Sequence, residues 1–193
     1  MTDVASAAPA DVIPADLGIE RAAPSDAGEL AYLAAVTFPL ACPPHTTRAD
    51  IATFITRNLS PARFTEYLQD VTVAVFVARE QGAAIGYALL REGLPPGEST
   101  YSLPEGPAIE LSKLYVLPHH HGNGAATLLM RSAIEYARQT SAATLWLGVN
   151  QLNVRAQRFY QKSGFAKAGT KTFTVGAETE HDFIFALSLQ ITP

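Results

Sequence analysis

The period of hydrophobic and polar positions changes repeatedly along this chain, and each change predicts an element. Order is expected from about Gly18, where Gly18-Ile19-Glu20-Arg21 reads as a short first strand ending before Pro24. Ser25 and Asp26, with Glu29 three residues after Asp26, read as a helix start, and Leu30, Leu33 and Ala34 then fall on one helical face. Thr46–Asp50 opens a second helix with Ile51, Phe54 and Ile55 on one side. Ser60-Pro61 puts a capping hydroxyl before a proline at the first helical position, so a third helix is expected to about Gln69. From Val71 the pattern turns β-branched and aromatic, and Val71–Arg79 and Ala83–Arg91 read as an antiparallel hairpin turning at Gln81-Gly82. Gly93–Pro107, rich in Pro and Gly, reads as a loop, and Ala108–Leu117 as the next strand. Helical spacing returns over Gly124–Gln139 in Ala125, Leu128, Leu129, Ala133, Tyr136 and Ala137. Thr144–Val149 reads as a strand, Asn153–Ser163 as a helix, and Phe165–Val175 and His181–Leu189 as the last strands.

This order is α/β with a mixed sheet. The strand–loop–helix–strand unit from Ala108 to Val149 is a crossover, which makes its two strands parallel and right-handedly joined. The other strands read as antiparallel. A chain of 193 residues is long enough for one sizeable core, so a single domain is expected over 18–193 behind a flexible tail, 1–17. Apolar residues at 48% and charged residues at 17% are ordinary for a globular protein, and a net charge of −4 argues against a nucleic-acid partner. The single cysteine, Cys42, excludes an internal disulfide and fits a reducing compartment. Met1–Leu17 has three aspartates, no Lys or Arg and no apolar run, unlike a signal peptide. The expectation is a cytoplasmic protein with no membrane partner.

The candidate chemistry lies in two segments. His121-Gly122-Asn123-Gly124-Ala125-Ala126 joins a strand that stops at Pro118 to a long helix. Free N–H groups and the helix dipole make such a turn an anion site. A P-loop would need Lys and Ser or Thr after the last glycine, where Ala-Ala stands. A dinucleotide fingerprint would need a third small residue at Thr127 and an acid about twenty residues on; none occurs between Thr140 and Asn153. A tight turn without a ligand stays open. The adjacent His119, His120 and His121 point in different directions and have no Cys or carboxylate nearby, so no metal site is expected. In the second segment, Asn153, Ala156 and Tyr160 share a helix face, with a small residue between an amide and a phenol. Gly164 then ends the helix as a left-handed cap. Phe159 and Tyr160 as simple core aromatics is the competing reading.

Tyr115-Val116-Leu117-Pro118 with His121–Ala126, followed by Asn153–Phe165, resembles the paired motifs of the GNAT superfamily of acyl-CoA-dependent N-acetyltransferases, over roughly Ile19 to Leu189. His121 stands where that family usually has Gln or Arg; a loop that binds through backbone N–H groups should be weakened by this, not abolished. The resemblance implies a GNAT-type fold: a central, mostly antiparallel sheet of about seven strands, one parallel splayed pair, and helices on both faces. It implies acetyl-CoA as cosubstrate, no metal, direct transfer to a small-molecule amine in a ternary complex, and a homodimer at family level. Glu110–Val116 resembles the bacterial polyamine or small-amine type. By the same resemblance, backbone groups of Leu114 and Val116, flanking Tyr115, pair with the pantetheine amides. The N–H groups of Gly122, Asn123, Gly124, Ala125 and Ala126, beside His121, hold the pyrophosphate. Asn153 contacts the cofactor arm, Tyr160 is the general acid for the departing thiolate, and the Val116 N–H polarises the thioester.

Glu110 is the candidate base, because its parity with Leu114 and Val116 puts all three on one strand face. Pairing with a basic residue is the alternative. The acceptor pocket is expected at Phe38, Leu40 and Cys42, in a proline-interrupted segment that should continue neither flanking helix; plain core packing competes with that reading. Cys42 is not expected to act as a nucleophile, since nothing in its neighbourhood activates it. Two other functions compete: a non-catalytic acyl-CoA-binding or regulatory module, and an acetyltransferase acting on protein lysines or N-termini.

Overall fold

A computed structural model describes residues 13–96, 99–175 and 178–190. Strand β1 (Leu17–Arg21) leads through a single 3-10 turn at Pro24–Asp26 to helices α1 (Ala27–Ala41), α2 (Arg48–Asn58) and α3 (Pro61–Gln69). The hairpin β2 (Val73–Glu80) and β3 (Ala83–Glu92) follows, then β4 (Thr100–Tyr101) and β5 (Ala108–Val116). Helix α4 (Ala125–Gln139), β6 (Thr144–Asn150), α5 (Val154–Lys162), β7 (Ala166–Val175) and β8 (Glu178–Ser188) complete the described chain. The strands form one sheet in the order β1-β2-β3-β5-β6-β8-β7-β4, in which β5 and β6 are parallel and the other neighbours antiparallel.

Alternation along β2 explains why helices cover both faces. Val73, Val75 and Val77 point to one side, where Leu30 and Leu33 of α1 and Phe64 of α3 are fully buried with Tyr87 and Leu89 of β3. Ala74 and Ala78 point to the other, where Leu129, Met130, Ala133 and Ala137 of α4 pack on Leu90, Ile109 and Leu111. Each large side chain so buried stabilises the fold by about 2 kcal/mol. The hairpin turn has positive φ at both Gln81 (52°) and Gly82 (82°), the backbone twist that joins two strands most tightly.

Capping residues act where the sequence places them. The Thr47 hydroxyl accepts from the Asp50 N–H at 3.1 Å, and the Ser60 hydroxyl from the Arg63 N–H at 3.4 Å, with Pro61 at the first position of α3. Other expectations need correction. Helix α1 runs through Pro39 and ends at Cys42, extended at φ −73° and ψ 143°, which precedes Pro43. Pro39 removes only one hydrogen bond near the end of the helix, whereas Pro43 forces its predecessor out of the helical region. Glu29 does not turn back on its own helix start; it receives Arg79 at 2.8 Å and the Ala84 N–H at 3.1 Å, tying α1 to the hairpin. Among the described residues the sheet has eight strands, against about seven expected. The addition is β4, inside the segment read as a loop, and it pairs Thr100 with Thr170 and Tyr101 with Gly169. Gly169 permits this, because a Cβ there would strike the Thr100 carbonyl.

Residues 1–12 of the expected tail lie outside the described residues. Ile13 is described, and its side chain occupies the space that a side chain on Gly124 would need. Among the described residues no helix is long and apolar enough to cross a membrane.

Candidate active site

β5 and β6 pair only through Ala108–Thr144, Ile109–Leu145 and Glu110–Trp146. Both strands continue, β5 to Val116 and β6 to Asn150, but they part, while β6 stays paired with β8 throughout. A gap therefore opens in the middle of the sheet. On the other side of β5 the register against β3 slips: Leu90 faces Leu111 and Leu89 faces Lys113, so Ser112 is an extra, bulged residue. The bulge inverts the alternation of side chains. Ile109 and Leu111 face the α4 core before it, and Leu114 and Val116 face that same core after it. Glu110 therefore lies on the opposite face from Leu114 and Val116, which corrects the parity argument, and shares its face with Lys113 and Tyr115.

A cavity of about 560 Å³ occupies the gap. From the α1 side it is lined by Phe38, Leu40 and Cys42, and along β5 by every residue from Glu110 to Val116. From the α4–α5 side it is lined by His121, Ala126, Asn153, Ala156 and Tyr160. Gly122, Asn123, Gly124 and Ala125 do not line it; they form the turn into α4 at its edge.

That turn is held by side chains as well as by glycines. Gly122 and Gly124 have φ of 88° and 90°, a region open to glycine and strained for other residues. The Asn123 side-chain oxygen, Oδ1, accepts the Ala125 N–H at 3.0 Å, and its side-chain Nδ2 donates to Glu80 at 3.3 Å. The first N–H groups of α4 are thus divided. That of Ala125 is taken internally, while those of Gly122, Gly124, Ala126 and Thr127 meet no acceptor among the described residues. The histidines go separate ways: His120 Nδ1 lies 3.0 Å from Glu80, and His121 Nε2 lies 2.8 Å from the Val116 carbonyl oxygen. His121 therefore turns back onto β5 and occupies one of the backbone acceptors at the gap. Leu117 donates to Ile85 of β3 at 2.8 Å, so alternation aims the backbone groups of Leu114 and Val116 away from β3, into the gap.

Asn153 is the N-cap of α5, not its first residue, and its Oδ1 accepts the Ala156 N–H at 3.0 Å. The C-terminus of α5 fixes Tyr160. The Phe165 N–H donates to the Tyr160 carbonyl and the Gly164 N–H to that of Gln161, both at 3.0 Å, with Gly164 at φ 92° and the Phe165 ring 6.2 Å from the Tyr160 ring. This is a complete Schellman closure. The Tyr160 hydroxyl makes no protein hydrogen bond among the described residues, and burial pushes its pKa up to about 12.

On the α1 side, Phe38 stacks on Phe54 of α2 with centroids 4.4 Å apart, and the Cys42 thiol donates to the Phe38 carbonyl. Glu110 is buried, with Oε2 2.6 Å from Arg91 Nε and Oε1 4.0 Å from Lys171 Nζ. Lys171 and Asp182 are cross-strand partners on β7 and β8, and a Cβ on Gly148 would collide with the lysine and press on the Asp182 carboxylate. Lys113 lies near the face of the Tyr67 ring, 5.4 Å from its centroid. Burial, with Arg91, Arg63 and Lys171 nearby, lowers its pKa to about 8 against the opposing pull of Glu110. Burial also pushes the Tyr115 phenol up. Sequence reasoning missed Arg91, Lys113, Lys171 and Asp182 as site residues. Lys113 left one signal, a lysine within an otherwise apolar strand; the others depend on sheet pairing that no local pattern carries.

Residues 42–165 match the model of the acetyltransferase (GNAT) family. An uncharacterized N-acetyltransferase of Mycobacterium tuberculosis strain H37Rv is 48% identical over 165 residues, covering 86% of this chain and 99% of that one. The crystal structure of PaiA N-acetyltransferase from Thermoplasma acidophilum in complex with coenzyme A is similar at a TM-score of 0.70 and 17% identity, over 89% of this chain and 98% of that one.

Proposed function

The chain belongs to the GNAT acetyltransferase family, and from that premise we propose that it passes an acetyl group from acetyl-CoA directly to a primary amine, both substrates being held together. The observation that carries this reading is the parting of β5 and β6 beside the N-terminus of α4. The backbone groups of Leu114, aimed into the gap, suit the amides of a pantetheine arm and leave the Val116 N–H for the thioester. The unpaired N–H groups at the start of α4 suit a pyrophosphate. Coenzyme A bound to a relative of the same fold supports that assignment. His121 contributes by holding the Val116 carbonyl, and Asn153 offers its amide N–H₂ to the cofactor arm, since its oxygen caps α5.

The amine enters from the α1 side, between Phe38, Cys42 and Glu110. It must be neutral to attack, and Glu110 takes its proton, directly or through a water. Nitrogen then bonds to the acetyl carbon while the Val116 N–H donates to the carbonyl oxygen. The carbon–sulfur bond breaks, Tyr160 gives its proton to the sulfur, and the second proton shed by the nitrogen as it becomes an amide returns, directly or through a water, to the phenolate. Its raised pKa keeps the phenol protonated at any neutral or mildly basic pH.

The test is release of free CoA thiol from acetyl-CoA against panels of amines, peptides and proteins. Turnover on small amines is expected. Tight acetyl-CoA binding without turnover on any acceptor would make the chain a binding module, and turnover confined to protein lysines or N-termini would move the acceptor class. Tyr160→Phe should lower kcat by about a hundredfold with the KM for acetyl-CoA within a few-fold; unchanged kcat would remove the acid role.

A further inference from the structure

Three cations, Arg91, Lys171 and Lys113, gather near Glu110, and only the first two have it within 4.0 Å, while Arg155 lines the cavity from α5. Arg91 is held by Glu110 at 2.6 Å. Lys171 faces Asp182 across the β7–β8 pair, and its Nζ stands 4.0 Å from Glu110. Lys113 remains. The bulge at Ser112 puts it on the same face as Glu110, and it lines the same cavity. Among the described residues its ammonium has the Ser112 hydroxyl at 3.4 Å and the Tyr67 ring, but no carboxylate within 4.0 Å. Burial first, and then Arg91, Arg63 and Lys171, disfavour its charged form against the pull of Glu110, as for a group in want of a counter-ion. A polyamine would add ammonium groups to this cluster. An acceptor bearing an anion would complete it.

Resting on the acetyl-transfer reading above, we propose that the acceptor is an amine that also carries a carboxylate, a small amino acid-like zwitterion, with Lys113 binding the carboxylate while the amine lies at Glu110. A phosphomonoester would satisfy the same ammonium, so the test has an arm for it. A site built to pair with a group discriminates strongly against an analogue that lacks it, because its own buried partner is then left alone.

The experiment measures kcat/KM for matched acceptors: lysine against cadaverine, β-alanine against ethylamine, and O-phosphoethanolamine against ethanolamine, with spermidine as the polycation. Wild type should favour lysine over cadaverine and β-alanine over ethylamine by about tenfold or more. Lys113→Met should collapse that ratio to about unity through KM, and Lys113→Arg should keep part of it. Preference for spermidine or the decarboxylated amines overturns the proposal, as does a ratio untouched by Lys113→Met. Preference for the phosphorylated acceptor over every carboxylate overturns the carboxylate assignment. CoA release with none of these acceptors overturns acetyl transfer to small amines and this inference with it; release with the decarboxylated amines alone overturns only the inference.

Discussion

Single residues at this site are positioned by devices a few residues long. The Schellman closure at Gly164 fixes the carbonyl of Tyr160 and packs Phe165 on its ring. Gly164→Ala must place a Cβ at φ 92° and should cost about 1 kcal/mol of stability. It should also lower kcat more than it raises the KM for acetyl-CoA, read from melts and steady-state kinetics; wild-type kcat would separate the turn from catalysis. Lys113 gives a pH signature. Its folded pKa, about 8, lies below its ordinary 10.5, so between those values the unfolded chain binds more protons and stability rises with pH. Below about 8 the folded protein carries the ammonium at a cost. Lys113→Met should therefore stabilise the protein at pH 7 by on the order of 1 kcal/mol and flatten the slope above pH 8, measured by denaturant titration at pH 7 and 9. Tyr160, Asn153 and Gly164 were legible because their spacing is local. The facing of Glu110 was not, because the bulge exists only against β3.

At the scale of elements, the starts of α2 and α3 and the hairpin turn followed from short-range chemistry, whereas α1 turned on competition between two prolines. Pro39→Ala restores one hydrogen bond in a continuous helix and should be neutral or stabilising, by up to about 1 kcal/mol in thermal melts. A marked loss would show that the ring packs against something the helix needs. Arg79 joins three elements by donating to the carboxylates of Glu20, Asp26 and Glu29 at 2.5, 2.9 and 2.8 Å. For Glu29, burial pushes the pKa up, but the bonds from Arg79 and the Ala84 N–H outweigh it and the net shift is down. The stabilisation is therefore present above pH 4.5 and lost as pH falls through the depressed value. Glu29 is partly exposed, so after screening by solvent Arg79→Met should cost about 1–2 kcal/mol at neutral pH, and less near pH 3. An equal cost at both would assign the effect to packing of the arginine stem.

For the whole molecule, helix and strand order sufficed to place the parallel pair and the layers, because a crossover has one favoured hand. Period alone could not show where β5 and β6 part, nor that β4 joins the edge through Gly169. The cavity joins the two motifs with the end of α1, and Lys171 and Asp182 enter it through the register of β7 on β8. The glycine turn also has a neighbour no motif announces: Ile13 covers Gly124. Gly124→Val should therefore destabilise the fold as well as weaken acetyl-CoA binding, because its side chain meets Ile13 and its φ is 90°. Equilibrium binding beside a melt would separate the two, and normal affinity would place the pyrophosphate elsewhere. The bulge at Ser112 works like an expansion joint between the two halves of β5. Ile109 and Leu111 before it and Leu114 and Val116 after it keep one face, so losing that single residue would leave every pairing with β3 and the face of every side chain unchanged. Only the local kink would go. At that one position the strand can shed a residue by a single-codon deletion, whereas elsewhere along β5 the same loss would turn one half over against the other.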